Sequence, residues 1–154
     1  MLRLSRRLDY SILALARLAM RVGQEPISAR HLALDTRIPA AILANILKDL
    51  TRAGMVRSSR GTHGGYEIAV SPESLTVGQV IRALEGPMRL VDCVMIPGAA
   101  PDSVPSCLLE STCPTKAPLR RLHDRIEAVL DELTFADLAD PALSAAGPSL
   151  GKCT

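Results

Sequence analysis

Between residues 5 and 22 the apolar positions Leu8, Ile12, Leu15, Ala19 and Val22 fall on one helical stripe, while Arg7, Arg17 and Arg21 lie away from its centre. This spacing predicts an amphipathic helix that breaks at Gly23-Gln-Glu-Pro26. Ser28 is of a type whose side chain caps helix N-termini, and a short second helix is expected from it to about Asp35. Pro39 occupies a favoured first-turn position and opens a third helix to about Ala53, which Gly54 terminates. Along it Ile42, Leu43, Ile46, Leu47 and Leu50 face inward. Ala40, Ala41, Ala44, Asn45, Lys48 and Arg52 are left on or near the outer face.

The period then changes. Met55–Ser59 and Tyr66–Val70 read as two short strands, the second alternating with period two. The connection Arg60-Gly61-Thr62-His63-Gly64-Gly65 carries three glycines in five positions, which permits positive φ and brings bare backbone close to a neighbour. A plain three-helix bundle would present the same outer face on its third helix. The hairpin directly after it favours a winged helix-turn-helix instead. Beyond the hairpin, Thr76 caps a helix with Val80, Ile81 and Leu84 on its inner face, ended by Gly86-Pro87.

Residues 115–133 form the longest predicted helix, with Leu119, Leu122, Ile126, Val129, Leu130 and Leu133 along it. That stripe is too long for so small a domain to cover, and a second copy of the chain is expected to cover it. The fold class is therefore mainly α with a small β-hairpin wing: a winged helix-turn-helix plus a long C-terminal dimerisation helix. Its expected divisions are a DNA-binding domain over 1–87, a cysteine-containing loop over 88–114, the dimerisation helix over 115–138 and a flexible tail over 139–154.

This arrangement nominates an interface. Small residues at Ala40 and Ala41 let a helix enter a major groove, Asn45 is able to read a base edge, and Lys48 and Arg52 reach phosphates. A wing tip with Arg57, Arg60 and His63 lies along a phosphate backbone and offers a basic side chain to the minor groove. Ser28, Ser59 and Thr62 complete the candidate set. Charge agrees: residues 1–70 hold eleven Lys/Arg against five Asp/Glu, a balance of +6, and residues 71–154 hold seven against eleven, a balance of −4. An anionic partner is expected for the first half alone.

Composition removes other classes. The aromatic stock is Phe135, Tyr10 and Tyr66, which argues against single-strand readers that stack bases on aromatic platforms. No apolar run approaches the roughly 20 residues of a membrane span, and the start of the chain lacks a signal-peptide layout, so a cytoplasmic protein is expected. No nucleophile–base–acid set, phosphate loop or carboxylate pair is present, and Gly61–Gly65 leads from strand to strand, unlike a dinucleotide-binding turn. His31, His63 and His123 are isolated, with surface or capping roles expected. An enzyme is not indicated.

The remaining chemistry lies in sulfur. Cys93, Cys107 and Cys113 are spaced C-x13-C-x5-C in a stretch rich in Pro and Gly. Structural zinc sites space their paired ligands two to four residues apart, and this spacing fits them poorly. A disulfide would strand one thiol and is unexpected in a cytosol. Soft thiolates on such a loop suit iron–sulfur chemistry. A thiol-redox switch and a zinc-stabilised winged helix stay open as cluster-free alternatives.

Ala53-Gly-Met-Val-Arg-Ser-Ser-Arg-Gly-Thr-His-Gly-Gly-Tyr66, Ala83-Leu-Glu-Gly-Pro87, the three cysteines and Thr134-Phe-Ala-Asp-Leu138 occur in order. Together they resemble the bacterial winged-helix iron–sulfur transcription regulators of the IscR/NsrR type, over about residues 2–138. The resemblance implies a dimeric repressor that binds a double-stranded DNA operator and carries a cluster on Cys93, Cys107 and Cys113, which senses iron, redox or nitric oxide status. In such proteins the fourth ligand is not cysteine. No His lies between Cys93 and Cys113, and Asp9 falls where other members place a carboxylate supplied by the partner subunit. An Asp ligand favours [4Fe–4S] over [2Fe–2S]. The reading helix departs from the pattern: Ile42-Leu-Ala-Asn45 stands where the family often has Tyr-Leu-Glu-Gln, so no family operator carries over.

Overall fold

In the computed structural model, which describes residues 4–61, 64–88, 90, 112–140 and 142, the first stripe forms α1 (Arg6–Ala19). Ser5 caps it, its hydroxyl accepting from the Leu8 amide at 3.1 Å. The buried face runs through Leu8, Ser11, Ala14, Leu15 and Leu18, with Ser11 returning its hydroxyl to the Arg7 carbonyl. The expected stripe is thus rotated at its end. Val22 lies beyond the helix and is 59% exposed, because the chain already turns at Gly23 with φ +80°.

α2 (Ala29–Thr36) is capped by Ser28 as expected, and α3 (Ala40–Arg52) follows after three residues, with Pro39 at its cap rather than inside its first turn. Leu43, Ile46, Leu47 and Leu50 are buried, whereas Ile42 is largely exposed, a correction to its inward placement. A 13-residue helix crossing α1 and α2 buries one narrow stripe, and Ile42 falls beside it. The end of α3 is a Schellman motif. Gly54, at φ +73°, donates to the Thr51 carbonyl and Met55 to that of Leu50, both at 3.0 Å.

β1 (Val56–Ser59) and β2 (Gly65–Ile68) pair antiparallel, with Val56 opposite Ile68 and Ser59 opposite Gly65. Ile27 extends this sheet through two backbone bonds to Tyr66, at 3.0 and 2.8 Å, and so fastens the hairpin to the start of α2. Only glycine fits at position 65: a Cβ there would lie 2.6 Å from the Ile27 carbonyl oxygen.

α4 (Val77–Glu85) opens on a capping box between Thr76 and Gln79. α5 (Lys116–Glu132) is shorter than the expected 115–138 helix. The chain breaks at Leu133, and α6 (Phe135–Ala139) begins on a second capping box, Thr134 with Asp137. Backbone bonds from Val77 to the Leu133 carbonyl and from Phe135 to that of Leu75 draw this segment back to the first domain, where Phe135 is fully buried in the core beside α1. The predicted stripe of α5 divides accordingly. Leu119, Ile126 and Leu130 are half-buried, while Leu122, Val129 and Leu133 are exposed. Most of segments 88–114 and 139–154 lies outside the described residues. Among the described residues no helix is long and apolar enough to cross a membrane.

Truncating Phe135, the largest fully buried side chain, removes packing that joins α6 to α1. Phe135→Ala is expected to lower unfolding free energy by about 3–5 kcal/mol in urea titration. A loss below about 1 kcal/mol would mean that α6 is not part of the core.

Candidate nucleic-acid interface and sulfur site

α2 and α3 meet at a turn of Arg37, Ile38 and Pro39, and Ile38 anchors it by burial. Pro39 offers no capping side chain, so the amides of Ala40 and Ala41, both exposed residues, start α3 without a side-chain cap. Asn45 and Lys48 are also exposed on this helix. Ser28, in contrast, has its hydroxyl engaged, accepting from the His31 amide at 3.2 Å.

Two of the predicted basic contacts are already paired. Arg52 leans on Asp49 at 3.8 Å, and Asp49 also accepts from Arg7 of α1 at 2.8 Å. Asp49 was not singled out by sequence, because only the crossing of α1 over α3 brings Arg7 to it. Arg57 pairs with Glu67 directly opposite it in the hairpin, at 2.9 Å. Both ion pairs are solvent-exposed and contribute little to stability. They orient the side chains. Ser59 accepts from the Gly65 amide at 3.2 Å and closes the base of the wing, and Arg60 is exposed. Thr62 and His63 lie outside the described residues.

A groove of about 640 Å³ runs between α2 and the start of α3, walled by Leu34, Pro39, Ala40 and Ala44, with Arg30 and Arg37 on its rim. Neither arginine was a candidate from sequence. Arg37 had a legible signal: it stands at a helix-to-helix turn, where glycine is customary.

Of the predicted sulfur ligands, Cys93 and Cys107 lie outside the described residues, as does Cys153. Cys113 is half-buried just before α5, with Sγ 3.2 Å from the Thr115 hydroxyl. The hydrogen bond from Thr115, helped by the Thr115 and Lys116 amides and the Lys116 charge, holds its thiol below the ordinary range, against a smaller effect of burial. A thiol so disposed suits metal ligation, which requires the thiolate. Asp9 lies exposed in the first turn of α1, and its carboxylate has no hydrogen bond or ion pair among the described residues. Cys113 and Asp9 therefore qualify chemically as donors to a thiolate-held cluster. Among the described residues no three His, Cys, Asp or Glu side chains converge on one point.

His123 departs from its expected surface role. It is 4% exposed on the inner face of α5, with Nε2 3.6 Å from Glu127 and Nδ1 without a partner among the described residues.

Three comparisons bear on these features. Residues 4–141 match the Rrf2 model, described as "Iron-dependent Transcriptional regulator". The HTH-type transcriptional repressor NsrR of Streptomyces coelicolor is 33% identical over 89% of this chain and 88% of its own. Among solved structures, CymR, described as the global cysteine regulator of B. subtilis, superposes with a TM-score of 0.72 at 32% identity, over 90% of this chain and 97% of its own. T. potens IscR superposes with a TM-score of 0.69 at 30% identity, over 95% and 94%.

In metal-free protein retaining Cys113 as its only cysteine, alkylation rate against pH should show a midpoint below that of a free thiol. Thr115→Val is expected to move that midpoint upward. An unchanged midpoint would mean that the hydroxyl does not act on the sulfur.

Proposed function

The chain belongs to the Rrf2 family of transcriptional regulators, and from that premise we propose that it binds a double-stranded DNA operator as a homodimer under the control of an iron–sulfur cluster. Its relatives are regulators rather than enzymes, and no enzymatic role is assigned. The observation that carries the DNA reading is the division of α3: Leu43, Ile46, Leu47 and Leu50 are buried, while Ala40, Ala41, Ala44, Asn45 and Lys48 face solvent. In this reading Asn45 contacts base edges, and Lys48, Arg52, Arg57 and Arg60 contact phosphates. Ser28, Ser59, Thr62 and His63 flank them. The exposed Leu122, Val129 and Leu133 of α5 supply the apolar strip that a second copy covers. Two copies, acting in the cytoplasm, would read two half-sites on one duplex.

Cys93, Cys107 and Cys113 would hold the cluster, with Asp9 of the second copy as its fourth ligand and [4Fe–4S] favoured over [2Fe–2S]. When bound, such a group supplies oxidant- and ligand-sensitive iron chemistry. The chain's own residues link that site to α3. Cys113 leads directly into α5, whose Asp131 takes both guanidinium nitrogens of Arg82 on α4, at 2.6 and 3.1 Å. Glu85, three positions on in the same last turn of α4, accepts from the Ser5 hydroxyl that caps α1. Arg7, two positions on, holds Asp49 of α3. A shift of α5 is therefore carried by rigid helices and charged pairs to the reading helix.

A cluster-free regulator is the second reading. The acidified thiol of Cys113 and the likeness to CymR favour it.

Anaerobically reconstituted and metal-free protein are to be compared on the best duplex selected from a random library. The proposal expects iron and acid-labile sulfide in the former, a brown colour, and operator affinity differing at least about fivefold between the forms. Asp9→Ala should retain less iron. Colourless protein whose affinity is unaffected by reconstitution would favour the second reading.

A further inference from the structure

Arg37 is the one non-glycine among the described residues with positive φ, at +57°. It ends α2 in the left-handed conformation, the position at which glycine ordinarily stands because a Cβ there crowds the backbone. Arginine is not among the residue types that visit this region readily. The backbone shape itself is set by its surroundings: Leu32 before the turn and Ile38 after it are buried, and Pro39 must open α3. Glycine would meet every one of those demands. What arginine adds is the guanidinium.

That group is exposed and makes no ion pair or hydrogen bond among the described residues, although Arg17 of the neighbouring helix pairs with Asp35 only two positions away. It stands with Arg30 on the rim of the groove whose far wall is Ala40 and Ala44 of α3. Two cations over an aliphatic floor containing Leu34 and Pro39 match a sugar–phosphate strand, with apolar sugar faces below and phosphates at the rim. We propose that Arg37 is a phosphate anchor, retained at a strained turn so that a strand lying across the α2–α3 groove fixes how deeply and at what angle α3 enters the major groove. Arg30 grips the same strand. The inference rests on the DNA-binding reading above.

The test uses the whole 154-residue chain and a fluorescent random-sequence duplex, since phosphate contacts are independent of sequence. Anisotropy titrations over roughly 50 to 200 mM KCl give affinity and its salt slope. Arg37→Gly relieves the left-handed strain, so its Tm should equal or exceed that of the parent. Its affinity should nevertheless fall roughly 3- to 10-fold, with a salt slope shallower by about 0.9 per bound protomer. Arg37→Asn, also tolerant of this backbone, should repeat the result, and Arg37→Lys should restore the slope. If the parent binds duplex and Arg37→Gly binds with the same affinity and slope, the anchor is refuted while the DNA-binding reading stands. If the parent binds no duplex, both fall.

Discussion

Burial of one face of α1 is the constraint on which the rest of the domain depends. α2, α3, α4, α6 and β2 all pack against this helix. Its buried residues are Leu8, Ala14, Leu15 and Leu18, with the small Ser11 letting neighbours approach closely. An aliphatic core with one buried aromatic, Phe135, has little else to specify orientation, so the crossing helices are registered at their polar edges. Ser5 with Glu85, Arg7 with Asp49 and Arg17 with Asp35 tie α1 to α4, α3 and α2 respectively. These exposed pairs add little to stability, and their value is positional.

That frame explains how a chain with so few aromatics presents a chemically defined surface. Packing consumes one stripe of α3 and leaves the opposite side to small, polar and basic residues. The hairpin is held at its base by Ile27 and by the Ser59 hydroxyl. Cys113 joins the same frame through α5 and the Asp131–Arg82 pair. Cys113 and the exposed side of α3 are therefore joined through one helical scaffold.

Local chemistry was legible in the sequence; crossing geometry was not. Ser28, Gly54 and Thr76 cap or end helices where expected, because caps satisfy backbone groups within a few residues. The wing was legible through its glycines, and Gly65 proves necessary for contact with Ile27, which the sequence did not indicate. Val22 and Ile42 were misplaced because periodicity cannot locate a helix end or the width of a buried stripe. Phe135 returns to the core through bonds to Leu75, about 60 positions earlier, a pairing invisible to any local window. The pairing of Arg52 with Asp49 and of Arg57 with Glu67 likewise follows from tertiary geometry. The IscR/NsrR-type resemblance anticipated the family.

In the proposed function, the α2–α3 unit and the wing form one face that meets duplex DNA. Backbone amide chemical shifts of the 16.4 kDa chain, followed by NMR while duplex is added, test it most directly. Perturbations are expected to concentrate in residues 28–52 and 57–65, with α5 and α6 little affected. Perturbations confined to α5 and α6, or none at all at saturating duplex, would contradict it.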